Sequence, residues 1–148
     1  MISIRLFLKI ISKKIIKLCY NLVGSEKVSK VNITCTLKSK KDIYTYRGKG
    51  IINNNVITYN DNDVITKIIL DDIIWFKRKK DYEITLGFCD GKTVKGTYII
   101  NEGKMTVETE TYELKKGKNS IKINYRLKIN NTLIDNFELN FTYTIDSI

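Results

Sequence analysis

Histidine is absent from the 148 residues of this chain. That removes the usual general base near neutral pH and the commonest zinc ligand, and it excludes Ser-His and Cys-His nucleophile pairs within the chain. Cys19, Cys35 and Cys89 are odd in number, far apart and without metal or disulfide spacing. Each reads as a small buried apolar residue, and free thiols fit a reducing, cytoplasmic compartment. Carboxylates, lysine and tyrosine can catalyse without histidine, but no motif here assembles them. The reading leans away from an enzyme and calls for no metal and no cofactor.

Four sets of residues could still do chemistry. Tyr125, Phe137, Phe141 and Tyr143 fall on one phase of an alternating pattern near the end of the chain. Such side chains either line a cavity, with hydroxyls orienting a ligand's polar end, or fill the interior with each hydroxyl on a backbone partner. A buried Arg78 would meet a carboxylate or phosphate. In the run Trp75-Phe76-Lys77-Arg78-Lys79-Lys80, aromatics beside basic residues can stack bases and hold phosphates. Alternation puts Trp75 and Phe76 on opposite faces, however, so they form no shared platform. Asp61-Asn62-Asp63 and Asp71-Asp72 offer oxygen ligands for calcium, but no glycine and no distal glutamate follow at loop spacing. They read as turns. Glu108 and Glu110 share a strand face, where an exposed position is the default.

The elements that must position these residues change character once along the chain. In residues 1–23, Ile4, Phe7, Leu8, Ile11, Ile15, Leu18 and Leu22 fall on one helical face. Arg5, Lys9, Lys13, Lys14 and Lys17 fall largely on the other, and Gly24-Ser25 ends the pattern. The charges leave no apolar run of the roughly 18 to 20 residues that a membrane span needs. They also interrupt a signal-peptide core, and no small-residue cleavage site follows. From about residue 29 the period becomes two. Val31, Ile33, Cys35 and Leu37 alternate with polar residues, as do Ile121, Ile123, Tyr125, Leu127 and Ile129. Asn130-Asn131 supplies a two-residue turn into a closing strand. Between these ends, short strands are separated by Asn53-Asn54-Asn55, Asp61-Asn62-Asp63, Asp71-Asp72, Lys80-Asp81, Asp90-Gly91-Lys92, Asn101-Glu102-Gly103-Lys104 and Lys116-Gly117-Lys118. Such spacing predicts an all-β, closed, antiparallel up-and-down barrel of about 8 to 10 strands, preceded by one basic amphipathic α-helix. The expected division is residues 1–28 for helix and linker and 29–148 for the barrel. Residues 105–114 change phase, which predicts a β-bulge near Thr109 or Glu110. Glycines in Tyr44-Thr45-Tyr46-Arg47-Gly48-Lys49-Gly50 suit a strand bending at a barrel corner.

The formal net charge is +10, which ordinarily points to nucleic acid or anionic membrane. The chain also lacks Ala, Pro and Gln and abounds in Ile, Lys and Asn. That is the codon bias of a low-GC bacterial genome, so much of the charge is background and nucleic acid is discounted. The order of IYTYRGKGII, IIWFKR, GTYIINEGK and the long hairpin SIKINYRLKINNTLIDNFELNFTYTI resembles the bacterial calycin-like β-barrel family typified by YwiB, over about residues 30–145. Where that family tends to place glycine after the arginine, this chain has Lys79-Lys80. The resemblance implies a barrel related in shape to lipocalins and carries over no activity and no catalytic residues. The function expected is a non-enzymatic barrel that binds a small hydrophobic or anionic ligand, or acts as an accessory protein. Alternatively, the protein docks on an anionic membrane or a protein partner through Arg5, Lys9, Lys13, Lys14 and Lys17.

Overall fold

A computed structural model describes residues 28–146. The helix expected in residues 1–28, with its basic residues, lies outside the described residues apart from Val28. Ten strands follow in chain order: β1 (Val28–Lys38), β2 (Ile43–Asn53), β3 (Val56–Asp61), β4 (Val64–Leu70), β5 (Ile74–Lys79), β6 (Glu83–Phe88), β7 (Thr93–Ile100), β8 (Gly103–Lys116), β9 (Ser120–Ile129) and β10 (Thr132–Ile145). Each pairs antiparallel with its neighbours in sequence, and β1 pairs with β10, so the meander closes into a barrel. Closure leaves no free sheet edge along most of the wall.

The turns follow from residues that tolerate positive φ. Asn62 and Asp63 (φ 50° and 70°) join β3 to β4, and Asn130 and Asn131 (φ 48° and 66°) join β9 to β10. Two successive positive φ values match the strand twist across a tight hairpin. The inward phase is the expected apolar one: Val31, Ile33, Ile57, Ile68, Ile74, Phe88, Val107, Ile123 and Phe141 are at most 2% exposed. At roughly 1.5–3 kcal/mol per buried large aliphatic or aromatic side chain, this interior is the main source of stability.

Two features differ from the expected pattern. The bulge in β8 lies between Thr111 and Glu113, at Tyr112, rather than at Thr109 or Glu110. Thr109 and Thr111 are each 1% exposed, so the inward phase continues through two threonines that look polar in sequence. It breaks only where Tyr112 turns outward. A second register shift, at Ile134 in β10, breaks the closing strand.

The glycines of β2 act through the space they leave. Gly48 and Gly50 lie opposite the inward residues Ile33 and Val31. A methyl group on Gly48 would collide with the Tyr46 ring, and one on Gly50 would stand 2.7 Å from the Thr58 carbonyl oxygen. β2 parts from β3 beyond Gly50. Tyr46 covers the opening there, stacking on Tyr59 (4.7 Å) and donating its hydroxyl to the Asn60 carbonyl (3.3 Å).

Candidate functional site

The hairpin turns β1–β2, β3–β4, β5–β6, β7–β8 and β9–β10 lie at one rim of the barrel, and three inward side chains converge near it. On β3 the inward phase runs Ile57, Tyr59, Asp61, so Asp61 enters the interior at the last residue before the turn. On β5 it runs Ile74, Phe76, Arg78, with Arg78 opposite Thr66 on one side and Ile84 on the other. On β2, Tyr44 lies opposite the inward Leu37. The Tyr44 hydroxyl donates to Asp61 Oδ2 at 2.5 Å, and Arg78 Nη2 donates to the same oxygen at 3.2 Å. The Asp61 side chain is 5% exposed and that of Arg78 27%.

Two polar atoms beside this cluster are left over. The Thr66 hydroxyl and Arg78 Nε are buried without a hydrogen-bond partner among the described residues. Thr66 and Arg78 are direct neighbours across β4 and β5, and Thr66 is also opposite Tyr59. Both groups can donate, Nε only so, and an unsatisfied buried donor costs about 1–3 kcal/mol. The site therefore offers a fixed cation and a hydroxyl to an acceptor.

The neighbouring groups stay neutral. The carboxylate of Asp61 holds the Tyr44 phenol up to about 12, assisted by burial and opposed by Arg78. Burial pushes the Cys35 thiol up to about 11, and Tyr59, hydrogen-bonded to that thiol, is pushed up by burial too. A thiol so raised is protonated near neutral pH and is a poor nucleophile.

The four aromatic residues expected inside the barrel do face inward, in two groups. Tyr125 meets Phe88 edge-on at 4.7 Å and stacks on Phe137 at 5.4 Å. Phe141 lies 6.3 Å from Tyr59 and 6.2 Å from Tyr143. Tyr125 is 4% and Phe141 1% exposed, so these rings pack on one another. Only the second group approaches Arg78, through Tyr59. A cleft of about 160 Å³ lies beside the β5–β6 turn, between Lys79–Glu83 and Ile99–Asn101. A depression of about 330 Å³ lies outside the wall, among Lys95, Thr106, Glu108, Asn130 and Asn131. Phe76 packs on the core, whereas Trp75 covers Gly87 from outside.

Tyr44, Asp61 and Thr66 were not singled out as partners of Arg78 by the sequence. The available signal was phase: carried past the last apolar residue of β3, alternation puts Asp61 inside. Asp61 thus faces the interior, while Asp63 sits in the turn, its N–H donating to Asn60 Oδ1 at 2.7 Å. Among the described residues no cluster of three or more Cys, Asp or Glu could hold a metal ion.

A ten-stranded antiparallel meander closed into a barrel, with a polar cluster at one rim, defines a small all-β barrel protein. Within that class the chain belongs to the family described as a domain of unknown function, DUF1934, which matches residues 27–141. Its fold is similar to the crystal structure of the ywiB protein from Bacillus subtilis, with a TM-score of 0.58 at 12% identity over 82% of this chain and 94% of that one. No curated protein matches the sequence.

Proposed function

We propose that the protein is a non-enzymatic binding barrel that takes the acidic end of a small ligand, a carboxylate or a phosphate, at Arg78. The observation that carries this reading is the pair of unpartnered buried donors, Arg78 Nε and the Thr66 hydroxyl, side by side across β4 and β5. One anionic oxygen can accept from both, and a guanidinium suits planar and tetrahedral anions alike. Of the two ligand classes expected, hydrophobic and anionic, the packing favours the anionic one. The interior rings fill the space an alkyl chain would need, whereas Arg78 stands near the rim with a quarter of its side chain exposed. The apolar part of a ligand would then lie against the half-buried Ile84, Val64 and Leu37. Cys35 and Cys89 are free thiols, which supports a reducing compartment.

Calorimetric titration of the full chain with inorganic phosphate and with octanoate tests the proposal, alongside Arg78→Met and Thr66→Val. The expected result is saturable binding of at least one probe, lost in Arg78→Met and weakened about tenfold in Thr66→Val, the worth of about one hydrogen bond to an anion. Binding of neither probe, or equal binding by Arg78→Met, would overturn the reading.

A further inference from the structure

Arg78 already holds one anion. Its Nη2 donates to Asp61 Oδ2 at 3.2 Å, and Tyr44 donates to the same oxygen at 2.5 Å. That carboxylate comes from the chain itself, at the inward end of β3, and it balances the guanidinium. Granted that Arg78 takes the acidic end of a ligand, the reading on which the selectivity below rests, this resident carboxylate decides which anion can join it. The surrounding charges do not offset it. On the strands at this rim the inward phase carries one further charged residue among the described residues, Asp135 opposite Leu127, and it too is an acid. Lys67, Lys77 and Lys79 alternate to the outer face of β4 and β5 and are exposed, where salt screens them.

A ligand charge on Arg78 Nε is attracted by the guanidinium and repelled by Asp61 across it. A monoanion still gains a charge-assisted hydrogen bond from Nε, and a second bond from the Thr66 hydroxyl. A second negative charge gains little net attraction and must still give up its water. The donors point the same way. Nε and the Thr66 hydroxyl are the two buried, unpartnered donors of this cluster, and Thr66 is 0% exposed. One carboxylate oxygen can accept from both, whereas a phosphate monoester brings three terminal oxygens. We propose that Asp61 sets the charge selectivity of the Arg78 site, making it a site for the carboxylate of a small amphipathic acid and turning away dianionic phosphate monoesters.

The test is calorimetric titration of the full chain with octanoate and with octyl phosphate, at about pH 8 and about 0.15 M salt. The two probes share an alkyl chain, and the second is mainly a dianion under these conditions. The parent should bind octanoate at least about tenfold more tightly. In Asp61→Asn the dianion is relieved of twice the repulsion that the monoanion is, so the preference should shrink by about tenfold or reverse. A merely structural loss would weaken both probes alike and leave their ratio unchanged. A comparison that needs no variant is methyl octyl phosphate, a monoanion with the same phosphorus centre, which should bind the parent more tightly than octyl phosphate does. Binding of neither octanoate nor octyl phosphate overturns the Arg78 site and the selectivity with it. If binding occurs and Arg78→Met abolishes it, the site stands. In that case a parent that prefers octyl phosphate to octanoate or to its methyl ester, or a ratio unchanged in Asp61→Asn, overturns the role of Asp61 alone.

Discussion

The Tyr44–Asp61–Arg78 cluster makes a strong and asymmetric prediction about stability. Replacing Arg78 by Met leaves a carboxylate that is 5% exposed with Tyr44 as its only hydrogen-bond donor among the described residues. Breaking a buried pair by removing one partner costs about 3–5 kcal/mol, because the remaining charge is uncompensated. Replacing Asp61 by Asn is milder. The amide can still accept from Tyr44, and the stranded guanidinium, 27% exposed, can turn toward water, so the cost is about 1–2 kcal/mol. The double variant removes both charges and should cost little more than Asp61→Asn alone. The coupling energy is then about 3–5 kcal/mol, nearly the whole cost of Arg78→Met. Urea unfolding followed by far-ultraviolet circular dichroism and by Trp75 fluorescence gives the three differences. If Arg78→Met costs no more than Asp61→Asn, or the single costs add to within about 0.5 kcal/mol, Asp61 does not depend on Arg78 and the reasoning fails.

Three further outcomes are expected. Gly96→Ala places a methyl group into the Thr85 carbonyl, so the backbone must shift, and a loss of about 2 kcal/mol or more in urea unfolding is expected. Thr109→Val keeps the shape but removes the hydroxyl that donates to the buried Gly87 carbonyl; an orphaned acceptor should cost about 1–3 kcal/mol, and a neutral result would show that another donor satisfies it. With no histidine, stability should be flat over about pH 5–8. Cys35 and Tyr44 have folded-state values raised from 9.0 and 10.0 to about 11 and about 12, so their contribution is complete below the unfolded values and is lost as pH rises through this range. Tyr59 and Tyr125, also raised by burial, steepen the fall. The urea midpoint measured against pH checks it, and Tyr44→Phe should lose less than the parent between pH 10 and 12.

How much of this was legible depended on how local each cause is. A period of two and a pair of Asn residues are local signals, and they placed the β9–β10 hairpin and the inward Tyr125, Phe137, Phe141 and Tyr143. The bulge was misplaced because Thr109 and Thr111 look outward by polarity. They are tolerated inside where β8 faces β6, with Thr109 bonded to the Gly87 carbonyl. That contact depends on a strand more than twenty residues away, which no window along the chain contains. The cluster at the rim is non-local twice over: Tyr44 and Asp61 are 17 residues apart, and so are Asp61 and Arg78. Arg78 was a visible candidate because it ends the IIWFKR segment that carries the family resemblance, and a buried arginine calls for an anion. Asp61 was not, because aspartate before Asn-Asp is an ordinary turn residue, and only its phase reveals that its side chain points the other way.

That the cluster sits at the rim, rather than in the middle of the barrel, follows from how the wall closes. Barrel width grows with strand number, and eight strands already enclose room for a small ligand, so ten strands should leave a larger space. Here the wall is drawn in between β6 and β7. Those two strands pair over only three residues each, Glu83–Thr85 with Thr97–Ile99. Past that point Gly96 lies against the Thr85 carbonyl, and Gly87 is wedged between Val94 and Trp75. These are close crossings that a side chain would prevent. β6 then packs directly against β8, and the Thr109 hydroxyl bridges the junction to the Gly87 and Val94 carbonyls. The crossing brings Phe88 onto Tyr125 and helps fill the interior with rings. A wall closed in this way leaves the central interior to apolar packing, where an unpaired charge would be most costly. Near the rim, Arg78 keeps a quarter of its side chain in solvent, where a cation is less costly than in the apolar centre. The glycine crossing and the position of the cation are therefore linked: a variant that reopened β6 from β7 would widen the interior without bringing Arg78 any closer to its centre.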